Sequence, residues 1–264
     1  MSTHSHDEMN NLFASAAGSG IISKPTQSLL SGHLGPVVIA GAAGRPLEDI
    51  DASDVTLITV LIDASSSIGG SGLEKAVREG QNALIEAFAG TREEGSILIA
   101  LWTFDSVTKV VHAYVPVSDA TRLTDKNYRS SGATVLYDVW CDALASNVAY
   151  AEQLRSGGTP VRSVVVVLTD GEDTSSKRTA RDCAAISHDL LKSEQFILAF
   201  VGVGSETDFR RIALQMGIPD GCVAVEGSAT PSALRAVFQM VSKSAIRASR
   251  GLVKPGVQAG FFGP

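Results

Sequence analysis

The sequence lacks any apolar run near the ~18 residues that a membrane-spanning helix requires. Its longest runs, Ile97–Trp102 and Phe196–Val203, are of strand length. The opening MSTHSHDEMNN has no Lys or Arg before Lys24 and no sustained apolar core, so no secretory signal is read there and a cytoplasmic location is expected. Cysteine is scarce: Cys141, Cys183 and Cys222 stand far apart among apolar neighbours, without CxxC or Cys/His spacing. That argues against zinc and for buried reduced thiols. Positive charge is also short, with Lys and Arg summing to 22 against 28 Asp and Glu, a net charge of −6. A chain without a basic surface is a poor fit to a nucleic-acid partner. Walker A, GxGxxG and GxSxG motifs are missing; Gly69-Gly70-Ser71-Gly72 is a loop before a helix. His112 and His188 have no evident Ser or Cys partner, and His4 and His6 read as solvated tail residues.

What is present is the composition of a folded protein, 44% hydrophobic and 19% charged, in a chain of 264 residues that can bury a core unaided. Three regions are read: 1–54, an N-terminal extension, partly irregular; 55–248, the main domain; and 249–264, a C-terminal tail. Residues 1–35 are rich in Ser, Gly, Asn and His and too poor in apolar residues to order alone. Val37–Ala40 fits either a short edge strand or a docked segment. From Val55 buried runs alternate with helical spacing. Strands are expected at Val55–Ile62, Ile97–Phe104, Val107–Val117, Val164–Leu168, Phe196–Val203 and Val223–Val225, the third of them antiparallel. Helices are expected over Leu73–Ala89, Leu136–Leu154 and Thr179–Lys192, then one capped by Ser205 with Asp208 as its partner and stopped at Gly217, and last from Thr230-Pro231 to about Ala248. The fold class is α/β: a doubly wound, mostly parallel sheet with one antiparallel edge strand and helices on both faces. The tail reads as irregular, with Phe261 and Phe262 expected to pack on this domain or a neighbouring subunit.

Ligands of open α/β sheets gather beyond the carboxyl ends of the strands. There the chain has Asp63-Ala64-Ser65-Ser66-Ser67, then Ser131-Gly132-Ala133-Thr134, then Thr169-Asp170-Gly171. Two carboxylates and three hydroxyls are hard oxygen donors of the kind that suits Mg²⁺. In Asp63-x-Ser65-x-Ser67 the chain turns from strand to helix, so alternate side chains can face one way. Two carboxylates only balance a divalent ion, which stays electrophilic toward one further anion.

Asp63-x-Ser65-x-Ser67, Thr134 and Asp170-Gly171, in that order, resemble the metal-ion-dependent adhesion site of von Willebrand factor type A domains, and Phe200-Val201-Gly202-Val203-Gly204 looks like a strand end of the same family. The resemblance covers about Val55 to Ala248 and is similar to the family's bacterial intracellular type. It implies that Asp63, Ser65, Ser67, Thr134 and Asp170 bind Mg²⁺ or Mn²⁺, the serines directly, the threonine and second aspartate directly or through water. Ser66 stands where glycine is most often found, and Ala133 where glycine is common before the threonine.

The implied function is an adaptor, a metal-dependent interaction module that binds a partner's Asp or Glu. AAA-type ATPases and tellurite-resistance or phage-conflict proteins are usual company in the family. The alternatives are a structural subunit of a larger assembly with incidental metal, and a Mg²⁺-dependent phosphoryl hydrolase using the same carboxylates. The latter lacks a general base or a phosphate-gripping Lys/Arg motif, so the chain is not expected to be an enzyme.

Overall fold

The computed structural model describes residues 5–256 and 260–263. Its strands are β1 (Val55–Asp63), β2 (Ile97–Phe104), β3 (Thr108–Pro116), β4 (Val161–Thr169), β5 (Phe196–Val203) and β6 (Val223–Glu226). They form one six-stranded sheet in the order β3-β2-β1-β4-β5-β6. All neighbours pair in parallel except β2 and β3. Every residue of β1, β2 and β5 is buried, which is why these runs are apolar without alternation. The strand order reverses at β1, whose neighbours are β2 and β4, and crevices at such reversals hold ligands in doubly wound folds.

The helices are α1 (His6–Gly18), α2 (Lys24–Gly32), α3 (Pro36–Ala42), α4 (Ser66–Gly70), α5 (Glu74–Phe88), α6 (Leu136–Ser156), α7 (Ala180–Lys192), α8 (Phe209–Gln215) and α9 (Pro231–Ser249). Two differences from the sequence reading have physical causes. The stretch before β1 contains three α-helices, and of the two alternatives for Val37–Ala40 the structure has the docked segment, within α3. Their caps are in the sequence: a reciprocal Ser5–Glu8 capping box on α1 and Ser23 on α2. Their stability comes from packing, since Met9, Phe13, Ala16, Leu30, Val38 and Ala42 are all buried. They rest largely on α6, which is buried around most of its circumference, with the sheet beneath it and the extension outside it. Arg178 ties the layers together, donating to Asp142 Oδ1 at 2.5 Å, the Asp138 carbonyl at 3.0 Å and the His33 carbonyl at 3.2 Å. Asp189 on α7 does the same for α2, accepting from Thr26 Oγ1 at 2.5 Å and the Ser23 amide at 2.9 Å.

The second difference is at α8. Its cap is Asp208, which accepts from the Arg211 amide, and not Ser205. The tail has no helix or strand among its described residues and folds back on the domain: Val253 and Phe261 are buried, and Gly256 N–H donates to the Phe196 carbonyl at 3.0 Å. Of the histidines, His112 is buried and His4 lies outside the described residues. The three cysteines are buried and none is in a disulfide.

A backbone bridge covers one margin of the sheet, and a buried side-chain amide ties its interior. Ahead of β1, Gly44 forms a parallel bridge with Tyr114 on the outer side of β3, where Arg45 N–H donates to the Tyr114 carbonyl at 3.1 Å and Tyr114 N–H to the Ala43 carbonyl at 3.2 Å. In the interior, Asn147 of α6 donates to Tyr114 Oη at 2.8 Å and Thr59 Oγ1 at 3.3 Å and accepts from Ser163 Oγ at 2.7 Å. The Thr59 and Tyr114 hydroxyls bond each other at 2.7 Å, so one amide satisfies polar groups of β1, β3 and β4 at once.

Candidate functional site

Parallel pairing of β1 and β4 sets Ile62 opposite Leu168, which brings the strand ends Asp63 and Thr169 level at the carboxyl edge. Asp63 is fully buried. Its Oδ1 accepts from the Ser65 amide at 2.7 Å and its Oδ2 from Thr169 Oγ1 at 2.5 Å. Its carbonyl accepts from Tyr128 Oη at 2.6 Å, so backbone and carboxylate are both held. Ser65 is the residue before α4, in extended backbone, and α4 then turns Ser67 toward the same side. The Ser65 and Ser67 hydroxyls lie 3.0 Å apart, and Ser67 Oγ donates to Asp170 Oδ1 at 2.7 Å.

Thr134 comes from a third loop, just before α6. Its amide donates to Thr174 Oγ1 at 2.9 Å, and its carbonyl accepts from the Thr174 amide at 2.9 Å. Its hydroxyl and that of Ser67 lie within 4.0 Å of where a side chain on Gly171 would begin, so both face the space that this glycine leaves open. The structure thus brings all five sequence-predicted residues to one place. Asp63, Ser65 and Thr134 are buried at its floor; Ser67 is exposed and Asp170 half-buried at its mouth. Ser67 and Asp170 also line a cleft of about 320 Å³ that continues past Gly204, Ser205 and Phe209.

The loop in which Ser66 replaces the usual glycine is not loosened by it. Ser66 Oγ donates to the Gly132 carbonyl at 2.8 Å and its amide reaches the same oxygen at 3.1 Å. Ser131 N–H returns a bond to the Ala64 carbonyl at 2.8 Å. The extra hydroxyl therefore fastens the Asp63 loop to the Thr134 loop. Sequence reasoning passed over three residues that shape the site: Thr169, Tyr128 and Thr174. Thr169 sat in plain view beside Asp170. Tyr128 and Thr174 carry no local signal, because each meets its partner across 65 and 40 residues of chain.

Burial pushes the Asp63 carboxyl up to about 6, over the opposing hydrogen bonds from Ser65 and Thr169, and the charge of Asp170 adds to the rise. Burial also raises Asp170, against its bond from Ser67. No Lys or Arg pairs with either carboxylate among the described residues. Two desolvated carboxylates without a cationic partner, ringed by three hydroxyls, are what a hard divalent cation would compensate, and the donor set fits Mg²⁺ or Mn²⁺. No group of three or more His, Cys, Asp or Glu able to hold an ion occurs among the described residues, so the hydroxyls matter here as much as the acids.

The model of the von Willebrand factor type A domain matches residues 58–239, from the middle of β1 into α9. The chain belongs to the von Willebrand factor type A domain family. Solved structures agree in fold. The pilus adhesin SpaC from Lactobacillus rhamnosus GG superposes with a TM-score of 0.56 at 14% identity, over 74% of this chain and 31% of that one. The PilB minor pilin from Streptococcus sanguinis gives 0.51 at 13%, over 77% and 63%. Proximal thread matrix protein 1 from the mussel byssus gives 0.50 at 20%, over 74% and 47%. This chain therefore spans less than two thirds of the length of each of these proteins. No curated protein matches it. Type A domains generally mediate protein–protein interaction, and no helix among the described residues is long and apolar enough to cross a membrane.

Proposed function

We propose that this type A domain is an adaptor that captures a partner protein through a divalent cation, Mg²⁺ or Mn²⁺, held at an intact metal-ion-dependent adhesion site. One observation carries the reading: five oxygen-bearing side chains from three loops meet beyond the carboxyl ends of β1 and β4, with two desolvated carboxylates that no side-chain cation among the described residues neutralises. Asp63 and Asp170 would supply the negative charge, and Ser65, Ser67 and Thr134 neutral oxygens. The bound ion would present an electrophilic position to an Asp or Glu of the partner. Thr169 and Tyr128 hold Asp63 in place, and Thr174 holds Thr134, so the ligands need little rearrangement to bind.

The reading is of binding without turnover. The Ser65, Ser67 and Thr169 hydroxyls bond one another or the aspartates, and no histidine or lysine is among the residues that meet there. A cytoplasmic setting goes with it, supported by three buried cysteines without a disulfide. The test is titration calorimetry with Mg²⁺ and Mn²⁺. The wild type is expected to bind one ion, and Asp63→Ala to lose it while keeping its circular dichroism. Unchanged binding by the variant sinks the assignment. Partner capture that persists in chelator, with metal binding intact, would turn the reading toward a structural subunit whose metal is incidental.

A further inference from the structure

A second group of reactive side chains lies outside the oxygen cluster. Cys141 on α6 and Cys183 on α7 face each other with Sγ···Sγ at 3.6 Å, both buried. The contact is fixed on either side: Cys183 Sγ donates to the Tyr137 carbonyl at 3.7 Å one turn earlier on α6, and Trp140 Nε1 donates to Ser187 Oγ at 3.0 Å one turn later on α7. The two helices therefore cannot slide past one another without breaking buried bonds, and the two sulfurs stay face to face. A disulfide needs its sulfurs at about 2.05 Å, so closure asks for roughly 1.5 Å of approach, within reach of side-chain rotation and a slight tightening of the helix pair.

We infer that Cys141 and Cys183 are a site of reversible covalent modification, an intramolecular disulfide that ties α6 to α7. The oxidant is a small hydroperoxide. One thiol, as its thiolate, attacks the peroxide oxygen; the O–O bond breaks, the alcohol (water, from hydrogen peroxide) leaves, and a sulfenic acid forms. The second thiol displaces that hydroxyl as water, giving one S–S bond for the two S–H bonds lost and the two electrons delivered to the peroxide. Burial makes the pair inert at rest, and reaction requires local opening at the α6–α7 contact. The inference does not depend on a metal at the oxygen cluster.

The experiment uses the full chain, treated with hydrogen peroxide under native conditions, then denatured, alkylated and digested with trypsin. Peptides 130–155 and 182–192 are expected to appear as one linked species that dithiothreitol separates. Alkylatable thiols should fall from three to one, with Cys222 in peptide 212–235 the survivor. Cys141→Ser and Cys183→Ser should each abolish the linked species, and Cys222→Ser should not. Because the peptide map needs only the wild type, a poorly folding variant does not blunt the test. Three thiols still alkylatable, a link through Cys222, or sulfinic acid at Cys141 or Cys183 in place of the link overturns the inference.

Discussion

Replacing Asn147 by Leu tests whether the buried amide stabilises the fold or merely occupies space. In the wild type it makes three hydrogen bonds, to Thr59, Tyr114 and Ser163, all away from water. Leucine keeps the bulk and removes all three. The Thr59 and Tyr114 hydroxyls retain each other at 2.7 Å, so their loss is only partial. Among the described residues Ser163 Oγ donates to Asn147 alone, so leucine leaves it as a buried hydroxyl without a partner. Such an orphan costs about 1–3 kcal/mol, and the remaining losses about 1 kcal/mol against the small apolar gain of the leucine. The expected destabilisation is about 2–3 kcal/mol, read as a lower urea midpoint with an unchanged m-value. Adding Ser163→Ala to Asn147→Leu removes the orphan and should return about 1–2 kcal/mol, although Ser163→Ala alone destabilises. Strict additivity of the two changes, or a cost of Asn147→Leu below about 0.5 kcal/mol, would refute the reasoning.

Thr134→Ala removes one neutral oxygen from the oxygen cluster and leaves its backbone pairing with Thr174 intact, so Mg²⁺ and partner affinity should fall by tenfold or more on the order of a lost ligand or its support, with little change in melting temperature; a large thermal shift with affinity preserved contradicts this. Asp189 carries a pH dependence. Burial raises its carboxyl, but bonds from Ser23 and Thr26 outweigh it and hold the group down to about 2. A depressed carboxylate stabilises the native state above the unfolded value near 4, and that stability is lost as pH falls from there toward 2. Asp189→Asn should therefore be less stable than wild type at pH 7, and the gap should narrow as pH falls below about 4 and close only below about 2; a gap independent of pH would count against the α2–α7 contact. Phe261→Ala empties a buried site on its own domain, so the melting temperature should drop by the equivalent of about 3–5 kcal/mol while the solution mass stays the same; a change of mass with stability intact would move the tail into an interface.

The main sheet was legible because its strands are covered on both faces, and β-branched runs such as Val55–Ile62 have few other uses. The five candidate residues were legible for a related reason: each stands at a strand end or at the start of a helix, where local sequence and position in the fold coincide. The helices before β1 were not. Their apolar residues are few and their length short, so what orders them is the surface they meet. That surface is written in α6, where Leu136, Val139, Trp140, Ala143, Leu144 and Val148 make one buried face and Cys141, Ala145, Ala149 and Ala151 are buried beside it. A helix apolar on every side needs two covers, and the sheet is only one. The clamps on the site, Tyr128 and Thr174, depend on tertiary contacts that no spacing rule anticipates.

The bridge from Gly44 to Tyr114 has a consequence for how copies of the chain meet. β3 is the last strand on its side of the sheet, and its outer backbone groups are the natural place for a strand from another molecule to add on. Residues 43–45 occupy that place with two hydrogen bonds and bring α3 down over the strand. The extension thus acts as an internal stopper. A version of the domain cut at residue 54 would keep its sheet but expose an open seam, inviting strand exchange and aggregation where the intact chain presents a closed side.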